Sequence, residues 1–167
     1  IDVTMRNELK KELGIVTNKK IILFVHRLSS VRKSMYYMPF VLEQSLNKTD
    51  NYICYVIGGG SEQGELVREI KNKGWDSKVF VLGEIPNSII QKFYQVSDVF
   101  INPTYTEGFP RVLLEAMASG LPCVTTNAGG IVDILGVLQS KYMVDIDDRE
   151  GFSSKLMELI DDVNIQT

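Results

Sequence analysis

The segment TEGFPRVLLEAMASGLP, residues 106–122, carries two carboxylates that an ordinary buried helix does not need. Its pattern is otherwise helical, with Pro110 at the first helical position, an apolar run from Val112 to Ala118, and Gly120 at the end. Glu115 interrupts that run and Glu107 precedes it. An acid at the position of Glu107 gains from the helix dipole. Glu115 can pair with Arg111 four residues earlier, the weaker order for such a pair. Yet Glu115 has apolar neighbours in sequence on every side, and a buried, unpaired carboxylate is costly or changes its protonation. It calls for donors, and a vicinal diol such as a ribose offers two hydroxyls to its two oxygens. The helix N-terminus, where Arg111 and Val112 keep their N–H groups, favours an anion.

Two cations and a glycine run add to this chemistry. Arg27 and Lys33 follow a strand-like segment six residues apart. A guanidinium forks onto phosphate oxygens and an ammonium supplies a point charge, so the two could neutralise a diphosphate without a metal. They could equally be the basic residues of a solvated loop. In VIGGGSEQGEL, Gly58, Gly59 and Gly60 sit between an apolar run and an amphipathic one, where glycine lets the backbone come close to a phosphate or sugar. Gly58, Gly60 and Gly64 are one residue too widely spaced for the dinucleotide fingerprint, so a tight turn without a ligand explains them as well.

The elements that must position these groups alternate along the chain. Short apolar runs at 20–26, 52–58, 78–83, 98–103, 122–127 and 141–146 read as strands, each near-continuously apolar as when both faces are covered. Between them lie helical patterns at 34–47, 61–74, 87–97, 110–120 and 130–136, with an opening helix closed by Gly14 and a final one at 148–162. Asn87 can cap its helix, and Pro39 either begins or kinks the one that contains it. This order predicts an α/β fold, a doubly wound, mostly parallel Rossmann-like sheet of about six strands. Ligands in such a sheet bind beyond the carboxyl ends of the strands. The loops HRLSSVRK, GGGSEQ, GEIPN, TYTEGFP and NAGG should therefore crowd one end.

Length and composition narrow the classes. The 167 residues, 44% hydrophobic and 23% charged with a net charge of −3, suit a single globular domain spanning 1–167. No basic run points to nucleic acid. No apolar stretch approaches a membrane span and no secretory signal is visible, so a cytoplasmic location is expected. Cys54 and Cys123 lie in apolar runs and read as small core residues rather than a disulfide. With His26 the only histidine, a zinc site is not expected, nor is any other cofactor. The chain lacks an initiator Met and is expected to be a fragment or processed form.

The series FVHRLSSVRKS, YICYVIGGG, KVFVLGEIPN and FYQVSDVFINPTYTEGFPRVLLEAMASGLPCVTTNAGG resembles the C-terminal, donor-binding domain of retaining GT-B glycosyltransferases, glycosyltransferase family 4, from about Lys20 to Leu135. The resemblance implies that Arg27 and Lys33 bind the diphosphate of a UDP- or GDP-sugar and stabilise leaving-group charge. It implies that Glu107 faces the sugar near the reacting centre and Glu115 holds the ribose hydroxyls. Gly58 and Gly60 would shape the loop beside the donor, Glu84 and Ile85 would lie at the base, and the backbone of Phe109, Pro110, Arg111 and Val112 would contact sugar and phosphate. It also implies a second, acceptor-binding domain N-terminal to this one. This half should then bind nucleotide sugar but not transfer it alone, with any membrane association made through the other half. The transfer would be to a glycan, lipid or small molecule, as in cell-surface polysaccharide synthesis. Departures from the family pattern are His26 and Ser34 where Gly is usual, Pro110 for a common Gly, and Val132–Asp133 for Pro–Glu. The expectation for His26 is packing at a strand end. Two rival readings are a Rossmann oxidoreductase and a non-catalytic domain that keeps only the fold.

Overall fold

The computed structural model describes residues 2–30, 34–46, 50–135 and 140–161. The chain runs α1 (Val3–Glu12), β1 (Lys20–Val25), α2 (Ser34–Leu46), β2 (Tyr52–Ile57), α3 (Gln63–Asn72), β3 (Val79–Gly83), α4 (Asn87–Val96), β4 (Val99–Asn102), α5 (Arg111–Ala118), β5 (Cys123–Thr126), α6 (Ile131–Ile134), β6 (Met143–Val144) and α7 (Arg149–Asp161). The strands form one six-stranded sheet in the order β3-β2-β1-β4-β5-β6, every pair parallel. This is the doubly wound α/β architecture that the alternation of runs predicts.

The continuous apolarity of the strands follows from helices on both faces. Side chains alternate along a strand, so each strand feeds two cores. Ile22 and Phe24 of β1 join Cys54, Val56, Val99, Ile101 and Val124 against α2, α3 and α7. Ile21, Leu23 and Val25 join Ile53, Ile57, Phe100 and Cys123 against α4, α5 and α6. Both cysteines are free and buried, and burial pushes both thiols above their ordinary range, as expected of small core residues.

Helix ends differ from the sequence expectation in two places, and at a third position, Pro39, the sequence leaves two readings open. Pro110 does not open α5: it occupies the cap position, Arg111 is the first helical residue, and the Pro110 carbonyl accepts from Leu113 and Leu114. Asn87 is likewise inside α4 rather than its cap. Pro86 precedes it, and the Pro86 carbonyl takes the N–H groups of Ile89 and Ile90. A proline at the cap has its φ restricted and no N–H to leave unpaired, so its carbonyl can start the helix without a polar side chain. Pro39 lies inside α2, five residues beyond its first, and not near its start.

The N-terminal end of the sheet is held by a buried acid. Asp98, 6% exposed, accepts a hydrogen bond from the Ile21 N–H at 2.7 Å and pairs with Arg6 at 2.9 Å and Lys20 at 3.6 Å. Arg6 also donates from Nη2 to the Val96 carbonyl at 2.7 Å, so one cluster joins α1, β1 and the end of α4. Asp98→Ala would orphan the Ile21 N–H and remove the counter-charge of Arg6. Urea denaturation should show a loss of about 2–4 kcal/mol. Asp98→Asn, which keeps an acceptor for Ile21, should lose less.

Candidate functional site

β1 lies between β2 and β4, and the chain turns outward in opposite directions on its two sides. In such a sheet the loops leaving the two central strands diverge and leave a crevice at their carboxyl ends. The loops named from sequence do gather there. The Leu28 N–H donates to Gly59, the Gly58 N–H to Gly83, the Glu62 N–H to Leu28, and the Gly130 N–H to Glu107. Four loops are thus stitched backbone to backbone in two pairs, that after β1 with that after β2 and that after β4 with that after β5, and the last residue of β3 joins the first pair.

That stitching explains the glycine run. Gly58 has φ +123° and Gly60 φ +149°, and a Cβ at either would collide with the carbonyl of His26 or of Leu28. The close approach that requires glycine is made by the protein's own β1 loop. Glu84, exposed on the loop after β3, lies across Gly59, where an added Cβ would come within 2.8 Å of its Cγ. Ile85 is half-buried against the core beneath α4.

The two glutamates exchange the environments expected of them. Glu115 is exposed, because the helical period turns Leu113 and Ala116 inward and sets Arg111, Glu115 and Ala118 outward. Apolar neighbours in sequence are not its neighbours in space, so burial does not explain it. Its Oε2 accepts from the Tyr94 hydroxyl at 3.1 Å, and burial together with that carboxylate pushes the Tyr94 phenol upward. Among the described residues no ion pair joins it to Arg111. Glu107 is the buried acid, 8% exposed, and its Oε2 lies 3.1 Å from His26 Nε2. His26, 7% exposed, does sit at the strand end with its ring stacked on Phe24, but it also bridges the β1 and β4 loops through Glu107. Sequence reasoning missed that pairing. Its only signal was a lone histidine where the resembling family has glycine.

Arg27 is exposed on the same loop, with its carbonyl 3.2 Å from His26 Nδ1. Lys33 lies outside the described residues. At the mouth of α5, Phe109 is 65% exposed, Pro110 is buried, Arg111 is exposed and Val112 is half-buried. The Arg111 N–H donates to the Phe109 carbonyl at 2.9 Å, so of the two N–H groups expected to meet an anion only that of Val112 is left. The N-terminus of α3 is unsuited to a pyrophosphate. Glu62 and Glu65 stand there, and burial and the Glu65 charge raise the Glu62 carboxyl above its ordinary value. This counts against the oxidoreductase reading.

Fold and crevice together define an α/β domain with a ligand-binding end at its central strands. The sequence profile of the family Glycosyl transferases group 1 matches residues 5–166, and the chain belongs to that family. It is 27% identical over 155 residues to N-acetyl-alpha-D-glucosaminyl L-malate synthase of Bacillus anthracis, covering 93% of this chain and 40% of that protein. The chain spans less than half the length of the curated relatives it matches. The C-terminal domain of the group 1 glycosyl transferase LpcC from Francisella tularensis superposes with a TM-score of 0.80 at 25% identity, covering 96% of this chain and 84% of that one. HepE of Anabaena, solved in complex with UDP-glucose, shares the fold with a TM-score of 0.82 at 20% identity, over 99% of this chain and 45% of that one. Among the described residues, no helix is long and apolar enough to cross a membrane.

Gly58→Ala would force the β1 and β2 loops apart. We expect a stability loss above about 1 kcal/mol in urea denaturation. The amide resonances of His26, Arg27 and Leu28 should shift, while those of α7 stay in place.

Proposed function

We propose that the chain is the donor-binding domain of a two-domain GT-B glycosyltransferase of glycosyltransferase family 4, placed C-terminally as in the LpcC domain it resembles. It binds a nucleotide-diphosphate sugar, UDP- or GDP-linked, for retaining transfer of a hexose to a glycan, lipid or small-molecule acceptor, as in cell-surface polysaccharide synthesis. The observation that carries this reading is the convergence of the Arg27 and Glu107 loops on the crevice between β1 and β4. HepE, of the same fold, was solved with UDP-glucose.

In this reading Arg27 and Lys33 take the diphosphate. Breaking the sugar–phosphate bond leaves negative charge on it, and cations already in place lower that barrier. Glu107 faces the sugar. Tyr94 holds one oxygen of Glu115, which leaves the other to accept from a ribose hydroxyl. Glu84 and Ile85 border the base, Gly58 and Gly60 keep the loops close, and the Phe109–Val112 backbone borders sugar and phosphate, with the Val112 N–H as donor. The acceptor wall is a second domain, without which this chain binds donor but does not turn over. The full enzyme works in the cytoplasm, and any attachment to the membrane's inner face is made through that other half.

Titration calorimetry with UDP, GDP and ADP tests the donor assignment. One should bind, and Arg27→Ala should weaken it at least about tenfold, as expected for loss of a charge-assisted phosphate contact. Heat from none of them would favour the non-catalytic reading. Saturation-transfer NMR with the matching nucleotide sugars would then identify the sugar. Turnover by these 167 residues alone would overturn the two-domain claim.

A further inference from the structure

Glu115 is exposed on α5, yet one of its oxygens is held from inside the fold. The Tyr94 hydroxyl has one proton and two acceptors in reach, Glu115 Oε2 at 3.1 Å and the Val112 carbonyl at 3.3 Å. Burial and the Glu115 charge push the phenol upward, so it keeps that proton and donates it. The donor is itself fixed. Tyr94 is 2% exposed, belongs to the core beneath α4 and α5, and packs its ring 5.9 Å from that of Phe100 in β4. Among the described residues no other hydrogen bond or ion pair reaches the Glu115 carboxylate. One buried phenol on α4 therefore orients an exposed acid on α5, and it braces the helix turn that carries the Val112 N–H.

We propose that Tyr94 is a positioning residue for ribose recognition: it holds Glu115 Oε2 from inside the core, so that the carboxylate meets the hydroxyls of a bound nucleotide already oriented. The inference rests on the donor-domain reading above and adds to it a residue that never touches the ligand. A free glutamate on a helix surface samples several rotamers, and fixing it on binding costs affinity. Tyr94 makes that choice before the nucleotide arrives. The gain is confined to the ribose hydroxyls, because the phosphates and the base meet other residues. Preference for a ribonucleotide over its deoxy counterpart is thus set in part by a hydroxyl in the core.

Calorimetry with UDP, GDP and ADP first finds the base that binds. That diphosphate and its 2′,3′-dideoxy counterpart are then titrated into the wild type, Tyr94→Phe, Glu115→Ala and the double variant. Tyr94→Phe keeps the ring and removes only the hydroxyl. It should weaken the ribonucleotide about three- to tenfold, the cost of ordering one more side chain on binding. It should weaken the dideoxy nucleotide less than about twofold, because no hydroxyl is there for Glu115 to accept from. In the Glu115→Ala background, adding Tyr94→Phe should change ribonucleotide binding less than about twofold, since the two side chains act together. A tyrosine that only braces α5 would weaken both nucleotides alike and in both backgrounds, and that result overturns the proposal. Ribonucleotide binding unchanged by Tyr94→Phe overturns it too. No binding of any nucleotide to the wild type removes the donor reading and this inference with it. Binding that depends on Arg27 but is indifferent to Glu115→Ala removes the inference alone.

Discussion

All six strands of a parallel sheet end on the same side, and the chain must leave β1 on one side and β4 on the other because helices have to cover both faces. That constraint opens, among the described strands, a place where two central strands end without a shared crossover above them. It also leaves two loops with no covalent reason to meet. The His26–Glu107 contact ties them across the opening, and the glycines of the β2 loop allow that side to close to backbone contact. The crevice is therefore a product of winding, and its walls are held by a few polar contacts at the strand ends.

Polar groups are placed asymmetrically around the apolar layers. Asp98 anchors α1 and the starts of β1 and β4 at the N-terminal end. His26 and Glu107 do the corresponding work at the C-terminal end. Between β4 and β5, Asn102 and Thr125 face one another and hydrogen-bond within the sheet, and Thr126 donates to the Thr104 carbonyl just before the Glu107 loop. Pairing offsets the cost of burying polar groups, so these bonds set the path of the loop that carries Glu107.

Much of this was legible in advance for a simple reason. A strand covered on both faces must be apolar throughout, and a helix must be apolar every third or fourth residue, so the alternation of KIILFV, YICYVI and VFIN with longer amphipathic segments could hardly mean another fold. The crowding of loops at one end followed from the same pattern. The environment of single carboxylates was not legible. Glu115 looked buried because its neighbours in sequence are apolar, and the helical period turns it outward. Glu107 looked like an ornament of a helix dipole, and only contact with a loop 81 residues away makes it the shielded acid.

The amino-acid sequence by itself determined the α/β class, the strand count, the two cores and which loops share an end, because those follow from hydrophobic period and chain connectivity. Tertiary structure alone decided which glutamate is shielded, what the glycines accommodate, and that His26 partners Glu107 as well as packing at the strand end. Those depend on distances between segments far apart in the chain, and the periodicity of any one segment carries no information about them.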